Sequence, residues 1–149
     1  VRAAKPGSPP ALAVFLSTVR VMPNPVAVLP ATGFWDTESA GGVVFNWLRN
    51  TGVLDIYAPA SPAGALMLTF IGRSLGRQRS LTAQSGNTIR HAIVTTSPEQ
   101  VTIGPFPLVR GHATVLLSAV PGPRRYGSDP RSLSVQVAAL GGYTTTAGT

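Results

Sequence analysis

The chain has 149 residues, of which 44% are hydrophobic and only 11% charged. This is enough for one domain with one sizeable core, and it excludes a disordered chain. Twelve Lys and Arg against five Asp and Glu leave a net charge of +7, and the lack of cysteine excludes disulfides, thiol catalysis and Cys-ligated zinc.

The basic residues are arginines except for Lys5, and they are scattered. Guanidinium groups suit phosphate and carboxylate, so the charge admits nucleic acid, anionic lipid or a phosphorylated glycan. Nucleic acid is disfavoured, because there is no helix-turn-helix, zinc-finger or RNA-binding signature, and Tyr126 is the one aromatic residue set in a basic run. No stretch has the apolar length to cross a bilayer. The chain starts at Val1 with no charged segment leading into an apolar one, and it reads as a piece of something larger.

In chain order, the Pro-rich residues 1–10 read as a linker, 11–142 as the folded domain and 143–149 as a tail. Short apolar or alternating runs follow the linker, at 12–21, 43–49, 53–58, 65–72, 79–84, 90–96, 100–104, 113–120 and 132–140. Turn signals separate them, among them Asn50-Thr51-Gly52, Ser85-Gly86-Asn87 and Pro121-Gly122-Pro123. Residues 65–70 are apolar on both faces and read as a central strand. In 132–140, Leu133, Val135 and Val137 share one face. About eight or nine strands at this spacing predict an all-β, antiparallel, jelly-roll-like sandwich.

The richest stretch is GFWDTESAGGVVFNWLRN, Gly33 to Asn50, which holds both tryptophans and two of the five acidic residues. It reads as strand, turn, strand. A sugar ring stacks its apolar face on an aromatic ring while carboxylates, amides and guanidinium groups bond its hydroxyls. Trp35, Asp36, Glu38 and Arg49 supply that inventory as candidate ligand-binding residues. Alternation in 43–49 puts Phe45, Trp47 and Arg49 on one face and Asn46 on the other, which splits the constellation and assigns Trp47 a structural, core role.

Other chemistry is thinner. His91 and His112 lie in or beside strand runs with no nucleophile elbow, and they read as structural or exposed. Asp36 and Glu38 are too close in sequence to flank a scissile bond, which argues against a glycosidase. No metal or other cofactor is expected, although a structural calcium held by Asp36, Glu38 or Asp129 with backbone carbonyls is compatible with the composition. Arg73, Arg77 and Arg79 in 71–80 form a predicted basic knob, and Arg124 and Arg125 in 121–131 a second basic loop. Both are candidates for phosphate contact, with lipid head groups of an anionic membrane surface or with a polyprenyl-phosphate sugar.

The order of motifs carries a resemblance. Gly33-Phe34-Trp35 with Glu38 precedes the strand holding Phe45 and Trp47, then an apolar run ending in Ala58-Pro59, a turn with Gly76-Arg77 and Arg79, and GSDPRSLSV from Gly127 to Val135. This resembles the extracytoplasmic, carbohydrate-binding-module-like β-sandwich domains attached to polytopic membrane glycosyltransferases of actinobacterial type, such as the arabinofuranosyltransferases. The resemblance covers roughly residues 30 to 140. It implies a non-catalytic module in the cell envelope that binds or positions cell-wall polysaccharide for an adjoining transmembrane glycosyltransferase domain, whose catalytic residue lies outside this chain. It also implies that Glu38 and Arg131 tie an edge of the sandwich in a structural role. The chain departs from the pattern at Asn46, where a basic residue is expected. Two rivals stand beside this reading: a structural or assembly sandwich with no sugar ligand, and a small glycan hydrolase that would use Glu38.

Overall fold

The computed structural model of the protein describes residues 26–59 and 64–145. The linker at 1–10 and the run at 12–21 therefore lie outside the described residues. Eleven strands and no helix are present among them: β1 (Ala27–Phe34), β2 (Glu38–Ala40), β3 (Val43–Tyr57), β4 (Ala65–Ser74), β5 (Arg79–Ser85), β6 (Thr88–Val94), β7 (Glu99–Pro107), β8 (His112–Val120), β9 (Arg124–Arg125), β10 (Ser132–Leu133) and β11 (Val135–Thr145). Eight of them, β1, β3 to β8 and β11, run seven residues or longer. The last strand continues to Thr145, into the stretch read as a tail.

The strands make an all-β, antiparallel, jelly-roll-like sandwich. One sheet has the order β1-β3-β8-β5-β6 and the other β2-β3-β11-β4-β7. The strand β3 belongs to both sheets: Phe45 to Trp47 pair with β11, while Thr51 to Tyr57 pair with β8. The outer strands β6 and β7 pack against each other, so one side of the sandwich is nearly closed. A separate two-stranded ribbon pairs β9 with β10.

Period-two alternation builds the core. In β4, Leu66, Leu68 and Phe70 point inward; in β8, Ala113, Val115, Leu117 and Ala119 do so. They meet Leu54 and Ile56 of β3 and Val135 and Val137 of β11 in one continuous cluster. Burying each large aliphatic side chain contributes about 1.5–3 kcal/mol.

Two strand expectations are corrected. The signal Asn50-Thr51-Gly52 is not a turn, because β3 runs through it. Gly52 is there for close packing: a Cβ would lie 2.6 Å from Leu48 Cδ1 and 2.7 Å from the Phe34 ring. Gly33 lies opposite with φ +83°, and a Cβ there would lie 1.8 Å from the Thr51 carbonyl oxygen. The second correction is β1, a strand through Pro30 that lies between the runs read at 12–21 and 43–49. Proline is tolerated because β1 is the outer strand of its sheet, and the pairing with β3 is irregular between Pro30 and Thr32.

Arg79 is also corrected as a phosphate or lipid contact. It is 1% exposed. Its Nε donates to Pro121 O at 2.8 Å, Nη1 to Ser74 Oγ at 2.9 Å, Leu75 O at 2.6 Å and Ser134 O at 3.3 Å, and Nη2 to the Tyr126 hydroxyl at 2.9 Å. That hydroxyl in turn donates to Leu75 O at 2.8 Å. A buried guanidinium holds together three segments remote in sequence and has nothing left for a ligand.

Arg79→Ala would leave several buried carbonyls without a donor and is expected to cost roughly 3–5 kcal/mol. Arg79→Lys recovers only part of this, since an ammonium cannot reproduce the planar fork. Urea unfolding of the two variants checks the order.

Candidate functional site

The site lies where the segment after β1 passes beside β3. The backbone N–H of Trp35 donates to Trp47 O at 2.9 Å, and its indole Nε1 donates to Ser132 O at 3.0 Å. The Arg49 guanidinium lies 4.1 Å over the indole, and that of Arg131 lies at 6.0 Å. Asn46 donates through Nδ2 to Trp35 O and to Thr37 Oγ1, both at 3.0 Å. Where the resemblance expects a basic residue, this amide instead fixes the bend that carries Trp35.

Arg131 sits beneath this bend as a junction of charge. It pairs with Glu38 through Nη1, and with Asp129 through Nε at 3.1 Å and Nη2 at 2.9 Å. The Asp129 carboxylate also accepts the Arg131 backbone N–H at 2.9 Å. These bonds from Arg131 lower Asp129 from the ordinary 3.8 to about 2 and raise Arg131 itself. The guanidinium thus occupies the space between Glu38 and Asp129 where a calcium ion would have to sit. Among the described residues no group of three or more His, Asp or Glu side chains gathers to hold a metal.

Beside Arg131 opens a cleft of about 340 Å³ lined by Trp35, Arg49, Asn50, Pro123, Pro130 and Ser132. Of the four residues read as ligand-binding, Trp35 and Arg49 line it. Glu38 faces Arg131 and does not, and Asp36 is exposed outside the lining. Trp35 offers less than its sequence context suggested, because its N–H is used and Arg49 covers one ring face.

The predicted basic knob at 73–79 does not form. Arg79 is buried, Arg73 lies 5.5 Å over the Trp47 ring, and Arg77 alone is exposed. Trp47 is 5% exposed, yet it is not part of the core between the sheets. It lies on the outer face opposite Gln136, met edge-on by Phe45 at 6.3 Å and covered by Arg73. Leu48 is the neighbour that points into the core. In the second basic loop, Arg124 stacks 5.5 Å over Tyr126, and Arg125 is directly opposite Ser132 across the β9-β10 ribbon. Both side chains are exposed.

One polar cluster was missed. Tyr57 and His112, opposite each other on β3 and β8, stack at 4.8 Å. His112 Nε2 is 3.8 Å from Asp55 Oδ1 and has no hydrogen-bond partner among the described residues, while Thr114 Oγ1 donates to the same oxygen at 3.4 Å. The residues are scattered in sequence, and only the β3-β8 register brings them together. His91 is exposed, with Nδ1 3.2 Å from Thr82 Oγ1.

No family model and no curated protein matches the chain. Solved structures of similar shape include the C-terminal CBM6 of LamC from Zobellia galactanivorans, at 11% identity and TM-score 0.49 over 80% of this chain and 99% of that one. A carbohydrate-binding module from Cellvibrio mixtus lichenase 5A in complex with cellotriose is 12% identical, with TM-score 0.47 over 81% and 98%. TmCBM61 in complex with β-1,4-galactotriose is 14% identical, with TM-score 0.43 over 81% and 89%. Likenesses this distant carry nothing about ligand or residue roles.

Because Asp129 is more acidic in the folded chain than in the unfolded one, the stability it contributes is present in full above about pH 4 and is lost as pH falls toward about 2. Asp129→Asn is expected to flatten the acid limb of stability over that window and to change little at neutral pH beyond a constant offset. Thermal midpoints recorded from about pH 2 to about pH 7 check it.

Proposed function

We propose that this chain is a non-catalytic glycan-binding module. The observation that carries this reading is the cleft at Trp35. Pro123, Pro130 and the free part of the indole offer apolar walls to the C–H face of a sugar ring. Asn50, Ser132 and the Arg49 guanidinium offer donors and acceptors to its hydroxyls at the rim. The carboxylate best placed in sequence for acid–base chemistry, Glu38, is engaged by Arg131, which disfavours a hydrolase. The resemblance supports the finer setting: an extracytoplasmic, membrane-associated domain of the cell envelope that positions cell-wall glycan for an adjoining transmembrane glycosyltransferase. The exposed Arg77, Arg124 and Arg125 are the groups that would meet an anionic membrane surface.

A second reading, an assembly module without a sugar ligand, is favoured by the outer face of the β1-β3-β8-β5-β6 sheet. Ile89, Leu116, Val120 and Ile93 are exposed there, and Leu29 is 54% exposed. Ile89, Gln84, Leu116 and Val53 lie directly across neighbouring strands, so part of the apolar surface is contiguous.

Titration of the chain with arabinan, mannan and galactan oligosaccharides, followed by tryptophan fluorescence, decides between the two. A saturable shift with one class is expected, and Asn50→Ala should weaken it roughly fivefold or more, the loss of about one net hydrogen bond. A flat response to all three, together with a concentration-dependent increase in sedimenting mass, supports assembly instead.

A further inference from the structure

The cleft at Trp35 is rimmed by more positive charge than a neutral sugar needs. Arg49 lines it, and Arg125 is placed at its edge by the pairing with Ser132, which also lines it. Arg124 is the next residue on the same ribbon. None of the three has a carboxylate partner within 4.0 Å among the described residues. Arg49 is held flat on the indole, an arrangement that fixes the guanidinium plane while leaving its N–H edge free. Arg124 is likewise stacked on Tyr126, whose hydroxyl is locked to Arg79 and Leu75.

The carboxylates at this end are disposed so that they do not cancel that charge inside the cleft. Glu38 and Asp129 are both turned to Arg131, and Asp129 stays ionised through those bonds well below neutral pH. The remaining one, Asp36, is exposed and outside the lining. Arg49 therefore lines the cleft without a carboxylate partner, and Arg125 is exposed beside it, while Glu38 and Asp129 are bound to Arg131.

From this we infer that the ligand of the cleft is an acidic glycan, a sugar chain bearing a carboxylate, phosphate or sulfate group. This rests on the glycan reading above and narrows it. The anionic group sits against the N–H edge of Arg49, with Arg125 as the second contact, and the neighbouring ring packs on Pro123 and Pro130. A planar fork at Arg49 favours two parallel bonds to one anionic group.

The test is a calorimetric titration of the 149-residue chain with size-matched neutral and acidic oligosaccharides: galactan, oligogalacturonate and a phosphorylated mannan oligosaccharide. Acidic ligands are expected to bind at least tenfold more tightly than galactan at low ionic strength, and the preference should shrink as salt rises toward about 0.5 M. The carboxylated and phosphorylated arms tell which anion is preferred. Arg49→Gln and, independently, the exposed Arg125→Gln should each remove most of the preference, while Arg49→Lys restores only part. Arg110→Gln, in the loop before β8, should leave it unchanged. Equal affinity for neutral and acidic chains overturns the inference and leaves the glycan reading standing. Acidic binding that survives both Arg49→Gln and Arg125→Gln overturns the placement of the site, and with it the inference. Binding of neither class overturns both readings. Near-ultraviolet circular dichroism of each variant separates loss of a contact from loss of the fold.

Discussion

A strand that is hydrogen-bonded into two sheets cannot slide in either. Residues 45–47 of β3 are in register with β11, and residues 51–57 are in register with β8 and, in part, β1. A one-residue slip in one half would turn Leu48, Leu54 and Ile56 out of the core together. The irregular pairing with β1 spans the passage from Leu48 to Val53, and Gly52, seated tightly against Phe34 and Leu48, is at the start of the second half, where the strand enters the other sheet. Arg49 and Asn50 lie in that passage, so the same constraint that aligns the sheets also delivers them to the cleft.

Arginine serves here in two opposite ways. Arg79 and Arg131 are consumed by the protein, one by carbonyls in the interior and one by two carboxylates near the surface. Each ties the stretch between β8 and β11, which has little core of its own, to a segment far away in the chain, Arg79 through Ser74 and Leu75 and Arg131 through Glu38. Arg49, Arg124 and Arg125 have no such partners among the described residues and make up part of the net positive charge. Electrostatics therefore holds this loop in place and also shapes what the loop can meet.

Much of the architecture was legible, because alternation in β4, β8 and β11 is a direct imprint of one buried and one open face. What was not legible came from long-range context. The outer position of β1 excuses Pro30, and Gly52 serves close packing, whereas locally each looks like a break. Trp35 was found by composition alone, but its N–H and one ring face are used by Ser132 and Arg49, partners that sequence cannot assign. Arg77 and Arg79 are two residues apart with opposite fates, one in solvent and one buried, because the strand β5 begins at Arg79. The Tyr57-His112 stack depends on the β3-β8 register, which no local pattern encodes.

The strand edges bear on how the molecule behaves in a crowded solution. Of the four outermost strands, β6 and β7 lie against each other, and a further bond runs across from Arg90 Nε to Pro105 O at 3.2 Å. The β2 edge is three residues long, and the β1 edge carries a proline and irregular pairing. Short, kinked or mutually guarded edges resist the strand-by-strand addition through which flat β-sheets aggregate. A partner that reaches the apolar sheet face must therefore recognise side chains, because these edges offer little continuous backbone ladder to extend.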